Sequence, residues 1–270
     1  MRMMSLLCSA ALFFSAAARA DLLDQGYGAM YNLNFDVAHR SFAAWQRAHP
    51  DDPMGPASDA AAFLFFEFDR MNILRSEFLT DDRQVLSGKR IVPDPNTKRA
   101  FEMDLQKSAD LSKVLLARGT SSDTEKALLA NVLRVALQAN YDALIEKRQW
   151  QALNEVKEAR VQAEALVAKY PGSVDAYLAM GVENYLLSQK AAPLRMVLRW
   201  AGARTDKQAG LAKLRIVADQ GHYFKPYAKI LLAIAALRDG RKAEAKGLLA
   251  ELAAQFPANG LFRDELKKLG

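Results

Sequence analysis

The chain has 270 residues, with 37 lysines and arginines against 31 aspartates and glutamates, three histidines and one cysteine, for a net charge of +6 at pH 7. That balance is mild and its charges are interspersed, which argues against a nucleic-acid-binding protein. The only cysteine, Cys8, lies near the start, so the rest of the chain has no disulfide, no thiolate nucleophile and no zinc–sulfur site.

The first twenty residues carry one early charge, Arg2, an apolar run over 6–17, and then Ala18-Arg19-Ala20. A basic start, a short apolar core and small residues before a cleavage point predict a secretory signal peptide over 1–20, cut after Ala20. A retained membrane anchor is the alternative, but the run falls short of the ~20 apolar residues that a span needs. Leu7 before Cys8 is too large for a lipoprotein site. Cleavage would remove Arg2 and Arg19, leave a +4 chain and place it in an exported, most simply periplasmic, setting.

Beyond Asp21 the apolar spacing is helical and no stretch alternates with period two. We predict an all-α domain over 21–270, built from five helical hairpins at 21–49, 56–118, 122–170, 173–221 and 224–256, with a terminal helix at 259–269. Thr97, Ser122 and Ser173 are the expected helix caps. The last hairpin is the clearest. Tyr227, Ile230, Leu231, Ile234 and Leu237 share helical spacing, Asp239-Gly240 breaks it, and Ala245, Leu248, Leu249 and Leu252 resume it up to Pro257.

Small residues recur in phase with prolines. Gly26 precedes Ala38 by twelve residues, and Ala38 precedes Pro50 by twelve more; Ala159 with Pro171 and Ala245 with Pro257 keep that spacing. This pattern resembles the tetratricopeptide repeat, in which small side chains sit where two helices cross and a proline ends each unit of about 34 residues. Tyr177 and Gly181 fall where such a repeat has its aromatic and its glycine. The segments Gly210-Leu211-Ala212-Lys213-Leu214, Gly221-His222-Tyr223-Phe224 and Phe256-Pro257-Ala258-Asn259 are similar to an exported bacterial family of these repeats. The resemblance implies a right-handed superhelical array whose first helices line a concave face, a scaffold that holds a partner without a cofactor.

On that face the candidate peptide-binding residues are Tyr27, Tyr31, Asn140, Tyr141, Asn184 and Tyr185, the Asn-Tyr pair recurring near the ends of two first helices. Core aromatics are the alternative reading. Two insertions, at about 71–97 and 190–205, are expected on one rim. The first is polar and turn-rich, with Asp81, Asp82, Arg83, Lys89 and Arg90. The second has no acid and forms a short amphipathic helix, Leu194, Val197, Leu198 and Ala201 on one face and Arg195 and Arg199 on another. With Lys190, Trp200 and Arg204 it suits an anionic membrane or acidic partner, unless its apolar face packs on the neighbouring hairpin.

Signatures of chemistry are missing. There is no phosphate loop, nucleophile elbow or zinc-protease motif, and His39, His49 and His222 lack ligand spacing, so neither metal nor cofactor is expected. His39 reads as a solvated residue and His49 as a turn residue. The carboxylate pairs Glu67 with Asp69 and Asp81 with Asp82 leave an envelope hydrolase as a remote alternative. The favoured expectation is a non-enzymatic protein- or peptide-binding scaffold of the bacterial envelope, and the second is a peripheral membrane protein contacting lipid through 190–205.

Overall fold

The computed structural model describes residues 21–75 and 92–270, and among them every regular element is a helix. The expected signal peptide and the residues Asp81, Asp82, Arg83, Lys89 and Arg90 lie outside the described residues. The α-helices are α1 Leu22–Tyr31, α2 Phe35–Ala48, α3 Met54–Arg70, α4 Pro95–Arg118, α5 Ser121–Tyr141, α6 Gln149–Lys169, α7 Tyr177–Ser188, α8 Ala192–Trp200, α9 Lys207–Gln220, α10 Lys225–Arg238, α11 Lys242–Gln255 and α12 Gly260–Lys268. A π-helical turn, Asp142–Glu146, follows α5, and a 3-10 turn, Val174–Ala176, precedes α7. Hairpins form between α1 and α2, α3 and α4, α5 and α6, α7 and α9, and α10 and α11, and each packs on the next. The insertion at 190–205 contributes α8, set aside from this succession. No described helix is long and apolar enough to cross a membrane.

Local chemistry accounts for the boundaries. The side chains of Asp21, Asn34, Asp94, Thr120, Asp206 and Asn259 each accept a hydrogen bond from the first turn of the helix they precede, occupying donors that a helix start leaves unpaired. The caps therefore differ from those expected. Asp94, not Thr97, caps α4 and accepts the Thr97 N–H at 2.8 Å; Thr120, not Ser122, caps α5; Ser173 makes no cap bond, its hydroxyl donating instead to Glu125.

The small residues lie at crossings. A side chain at Gly26 would collide with the ring of Phe42, and one at Gly210 would meet the backbone nitrogen of Tyr185 at 2.6 Å. Ala38 and Ala245 are wholly buried, and Ala159 is nearly so. Such contacts let helix axes approach closely and fix the order of the hairpins.

The succession also closes on itself. The Tyr31 hydroxyl donates to the carbonyl of Tyr223 at 3.1 Å, Asn259 Nδ2 to the carbonyl of Tyr31 at 2.9 Å, and the Ala258 N–H to Asn32 Oδ1 at 3.0 Å. His222 Nε2 stands 2.8 Å from Asp24 Oδ1, and the rings of Tyr27 and Tyr223 stack at 4.9 Å. An array in which each hairpin touches only its neighbours is therefore corrected: the first hairpin joins the last, and one hydrophobic core runs from Leu23 to Phe262.

Candidate functional site

Closure turns what would be an open inner surface into a lined interior. One cleft in it takes in about 910 Å³, solvent at its open side included. Met30 and Tyr31 of α1, Phe65 and Phe68 of α3, and Ile230, Leu231, Ile234 and Leu237 of α10 form most of its wall, with Leu144, Leu261 and Phe262 around them. Two smaller cavities continue it along the inner helices, one sharing Met30, Tyr31, Phe65 and Phe68 with the cleft, the other sharing Leu133, Ala136, Asn140, Leu178 and Phe224 with the first of these. Tyr227 lines all three.

The wall follows from the composition of α10. Residues 230–237 are apolar without interruption, so this helix has no polar face to give to water. One side packs in the core, where Leu232, Ala233, Ala235 and Ala236 are buried, while Ile230, Leu231 and Leu237 stay partly accessible on the cleft. A helix apolar all round requires apolar surroundings on all sides.

Polar groups in the lining are engaged by the protein itself. Asn259 donates to Tyr31 and accepts the N–H of Leu261. Glu265 pairs with Lys268 at 2.7 Å. Asp175 accepts the N–H groups of His222, Tyr223 and Phe224 at 2.9, 2.9 and 3.4 Å, which ties the turn before α10 to the 3-10 turn; burial still holds its pKa above the usual carboxylate value. Asn140 donates to the carbonyl of Ala136 at 2.8 Å. Tyr227 differs: no described residue hydrogen-bonds to its hydroxyl. Burial raises its pKa to about 12, so it stays a protonated donor facing the cavities.

The predicted peptide-contact residues are mostly interior, which corrects their expected placement on an open groove. Tyr27 and Tyr31 are buried in the seam, Tyr27 bonded to the Ser58 hydroxyl at 2.9 Å. Tyr141 stacks on Phe101 at 4.9 Å, and Tyr185 is 2% exposed. Asn184 is buried and donates to the carbonyl of Met180 at 2.9 Å, the same one-turn-back bond that Asn140 makes. The recurring Asn-Tyr pair is thus a packing device: the amide caps a carbonyl of its own helix and the ring fills the interior. Of the six residues, Tyr27, Tyr31 and Asn140 line the cavities. The helical spacing of Ile230, Leu231, Ile234 and Leu237 predicts packing within the last hairpin, and the unbroken apolar run over 230–237 is the signal for a second apolar surface.

In the second insertion, α8 does not dock by the face expected. Leu198 alone is buried, against Leu187 and Ala203, while Leu194, Met196, Val197 and Trp200 are exposed. Arg195 donates to the carbonyl of Lys190, Arg199 to the Thr205 hydroxyl, and Arg204 is exposed.

Of the two carboxylate pairs, Glu67 with Asp69 lies among the described residues, and its side chains do not face each other. Glu67 is interior and held by two Arg70 contacts at 3.1 and 2.6 Å, while Asp69, two residues on, points to the other side of α3. His39 is not simply solvated: its Nδ1 stands 2.5 Å from Asp59 Oδ1, and its ring lies on Phe63. His49 stacks on Trp45 at 3.8 Å. No group of three or more His, Cys, Asp or Glu among the described residues is placed to hold a metal ion.

No protein-family model, curated protein or solved structure matches this chain.

Proposed function

We propose that this is an exported, non-enzymatic binding protein, a closed variant of the tetratricopeptide-like array, whose inner cleft holds an elongated hydrocarbon such as a fatty acyl chain. One observation carries the reading: the cleft and its two continuations are walled by aliphatic and aromatic side chains whose polar neighbours, Tyr227 apart, are already hydrogen-bonded within the protein. A peptide backbone in that space would lose water and gain few partners, at a cost of about 1–3 kcal/mol for each unpaired amide. A methylene chain loses nothing of the kind and gains about 0.8 kcal/mol for each buried CH₂. The concave-face scaffold expected from the sequence is thereby kept as a binding function, with the ligand changed from peptide to lipid-like. Among the described residues, Tyr227 is the donor suited to a carbonyl or carboxylate on such a chain.

The test is a titration with a fluorescent fatty-acid analogue, beside mass spectrometry of lipid extracted from the purified protein. Ile230→Trp fills the cleft and should weaken probe binding by about tenfold or more with the helical dichroism unchanged. Tyr227→Phe should weaken a carboxylate probe more than a plain hydrocarbon. Failure of the native protein to bind either probe, or equal affinity in Ile230→Trp, overturns the reading.

A further inference from the structure

α8 is the most exposed apolar element among the described residues. Pro193, Met196, Val197 and Trp200 recur at the spacing that puts them on one helix stripe, and Trp200 is 84% exposed while Met196 and Val197 are each 55% exposed. The element is anchored from behind: Leu153 of α6 packs against the cluster of Leu187, Leu198 and Ala203, Lys157 donates to the carbonyl of Ala201, and Arg160 donates to that of Gly202 at 3.3 Å. The two hydrogen bonds run in register, the earlier residue of α6 meeting the earlier residue of the insertion. One turn before Leu153 is Trp150, 73% exposed, so the register carries it to the level of the N-terminal half of α8.

The insertion's own charges have one sign. Residues 190–205 contain no acid, and Lys190, Arg195, Arg199 and Arg204 make no ion pair with any described carboxylate. Arg195 and Arg199 lie to one side of the stripe, where their long stems can follow an apolar surface while the guanidinium groups reach a phosphate. Exposed indole rings, an apolar stripe and flanking cations are the combination that favours the boundary between lipid headgroups and acyl chains.

We propose that α8, with Trp150 beside it, is an interfacial docking element that rests on an anionic membrane surface. It does not depend on the cleft binding a ligand, though a lipid-like cargo gives such docking a purpose. The acyl-chain depth is set by Trp200 and Val197, and the preference for anionic headgroups by Arg195 and Arg199.

The experiment uses protein beginning at Asp21, which retains every described residue and lacks the apolar run at 6–17. It is floated with vesicles of phosphatidylcholine alone and of phosphatidylcholine mixed with phosphatidylglycerol, and tryptophan emission is recorded. The native protein should bind the mixed vesicles, shift its emission to the blue, and bind less as salt is raised. Trp200→Ser with Val197→Ser should weaken binding by roughly tenfold or more without changing the melting temperature, because both side chains are exposed. Arg195→Glu with Arg199→Glu should abolish the preference for the anionic mixture. Ile230→Trp should bind vesicles as the native protein does, which separates this proposal from the cleft. Equal binding by the native and Trp200→Ser, Val197→Ser proteins, or no vesicle binding while a soluble polypeptide is captured through the same residues, overturns it.

Discussion

Helices α8 and α10 begin alike, each with proline in its first turn, and both are rich in apolar residues. Their surroundings could hardly differ more. α10 packs between α9 and α11, and the Tyr227 ring meets Phe65 of α3 at 5.6 Å across the interior. Among the described residues α8 meets the end of α7 and the flank of α6, and buries Leu198 alone. Apolar content therefore does not decide burial here; the number of elements that reach a helix does. Contacts between distant parts of the chain enclose α10, whereas α8 emerges from a turn within a single hairpin.

The comparison can be broken most directly at the seam that encloses α10. Tyr31→Ala removes a buried ring in contact with Phe65 and Phe256 and the bond to Tyr223. We expect a loss of about 3–5 kcal/mol, a fall in melting temperature of roughly 6–20 °C, and new exposure of the cleft, read by binding of an apolar dye. A protein that melts unchanged would mean that the first hairpin does not close the array.

A smaller effect is expected where the fourth hairpin holds itself together. Gly210→Ala drives a methyl group against the Tyr185 nitrogen and within 3.0 Å of the Gly181 carbonyl. Backbone cannot yield as a side chain can, so α7 and α9 should separate at a cost of about 1–3 kcal/mol, measured by urea unfolding. Because α8 touches α7 near its end, away from Gly181 and Gly210, and Trp200 is exposed, the emission of that tryptophan should stay as in the native protein.

The smallest effect concerns charge. Cations on α8 stand in water, whereas Asp104 on α4 lies in the packed wall, and burial, with the nearby Asp59 charge adding to it, raises its pKa to about 7. Its folded form holds a proton more tightly than its unfolded form, so this residue's contribution to stability falls as pH rises from about 4 to about 7. Asp104→Asn should remove that slope and leave the protein more stable at pH 8 by on the order of 1 kcal/mol, with Lys107 and solvent limiting the gain. Equal native stability at pH 5 and pH 8 would argue against a buried charge there.

The hairpins could be read from the chain because their signals are local. Helical periodicity, the break at Asp239-Gly240 and the prolines at 50, 171 and 257 all act within a few residues. Closure could not be read, because Asn32 and Ala258, or Asn259 and Tyr31, meet across more than two hundred residues and no local pattern announces the pairing. The same gap misplaced the tyrosines. An aromatic on a first helix faces inward in either geometry, and only the far end of the chain determines whether inward means an open groove or a seam. The stripe of α8 was misjudged for a related reason: Leu194, Val197, Leu198 and Ala201 formed the obvious apolar face, but only Leu198 has a partner.

The seam also sets how the molecule must come apart. An open succession of hairpins can fray from either terminus, each unit lost at the cost of one interface. Here the hydrogen bond between Tyr31 and Tyr223 spans 192 positions and that between Asn259 and Tyr31 spans 228. Neither terminal hairpin can leave without opening the other. Loss of structure should then be a concerted event rather than a stepwise one, and assembly should be slow for a helical protein, since the contact that completes it waits on closing nearly the whole chain into a loop.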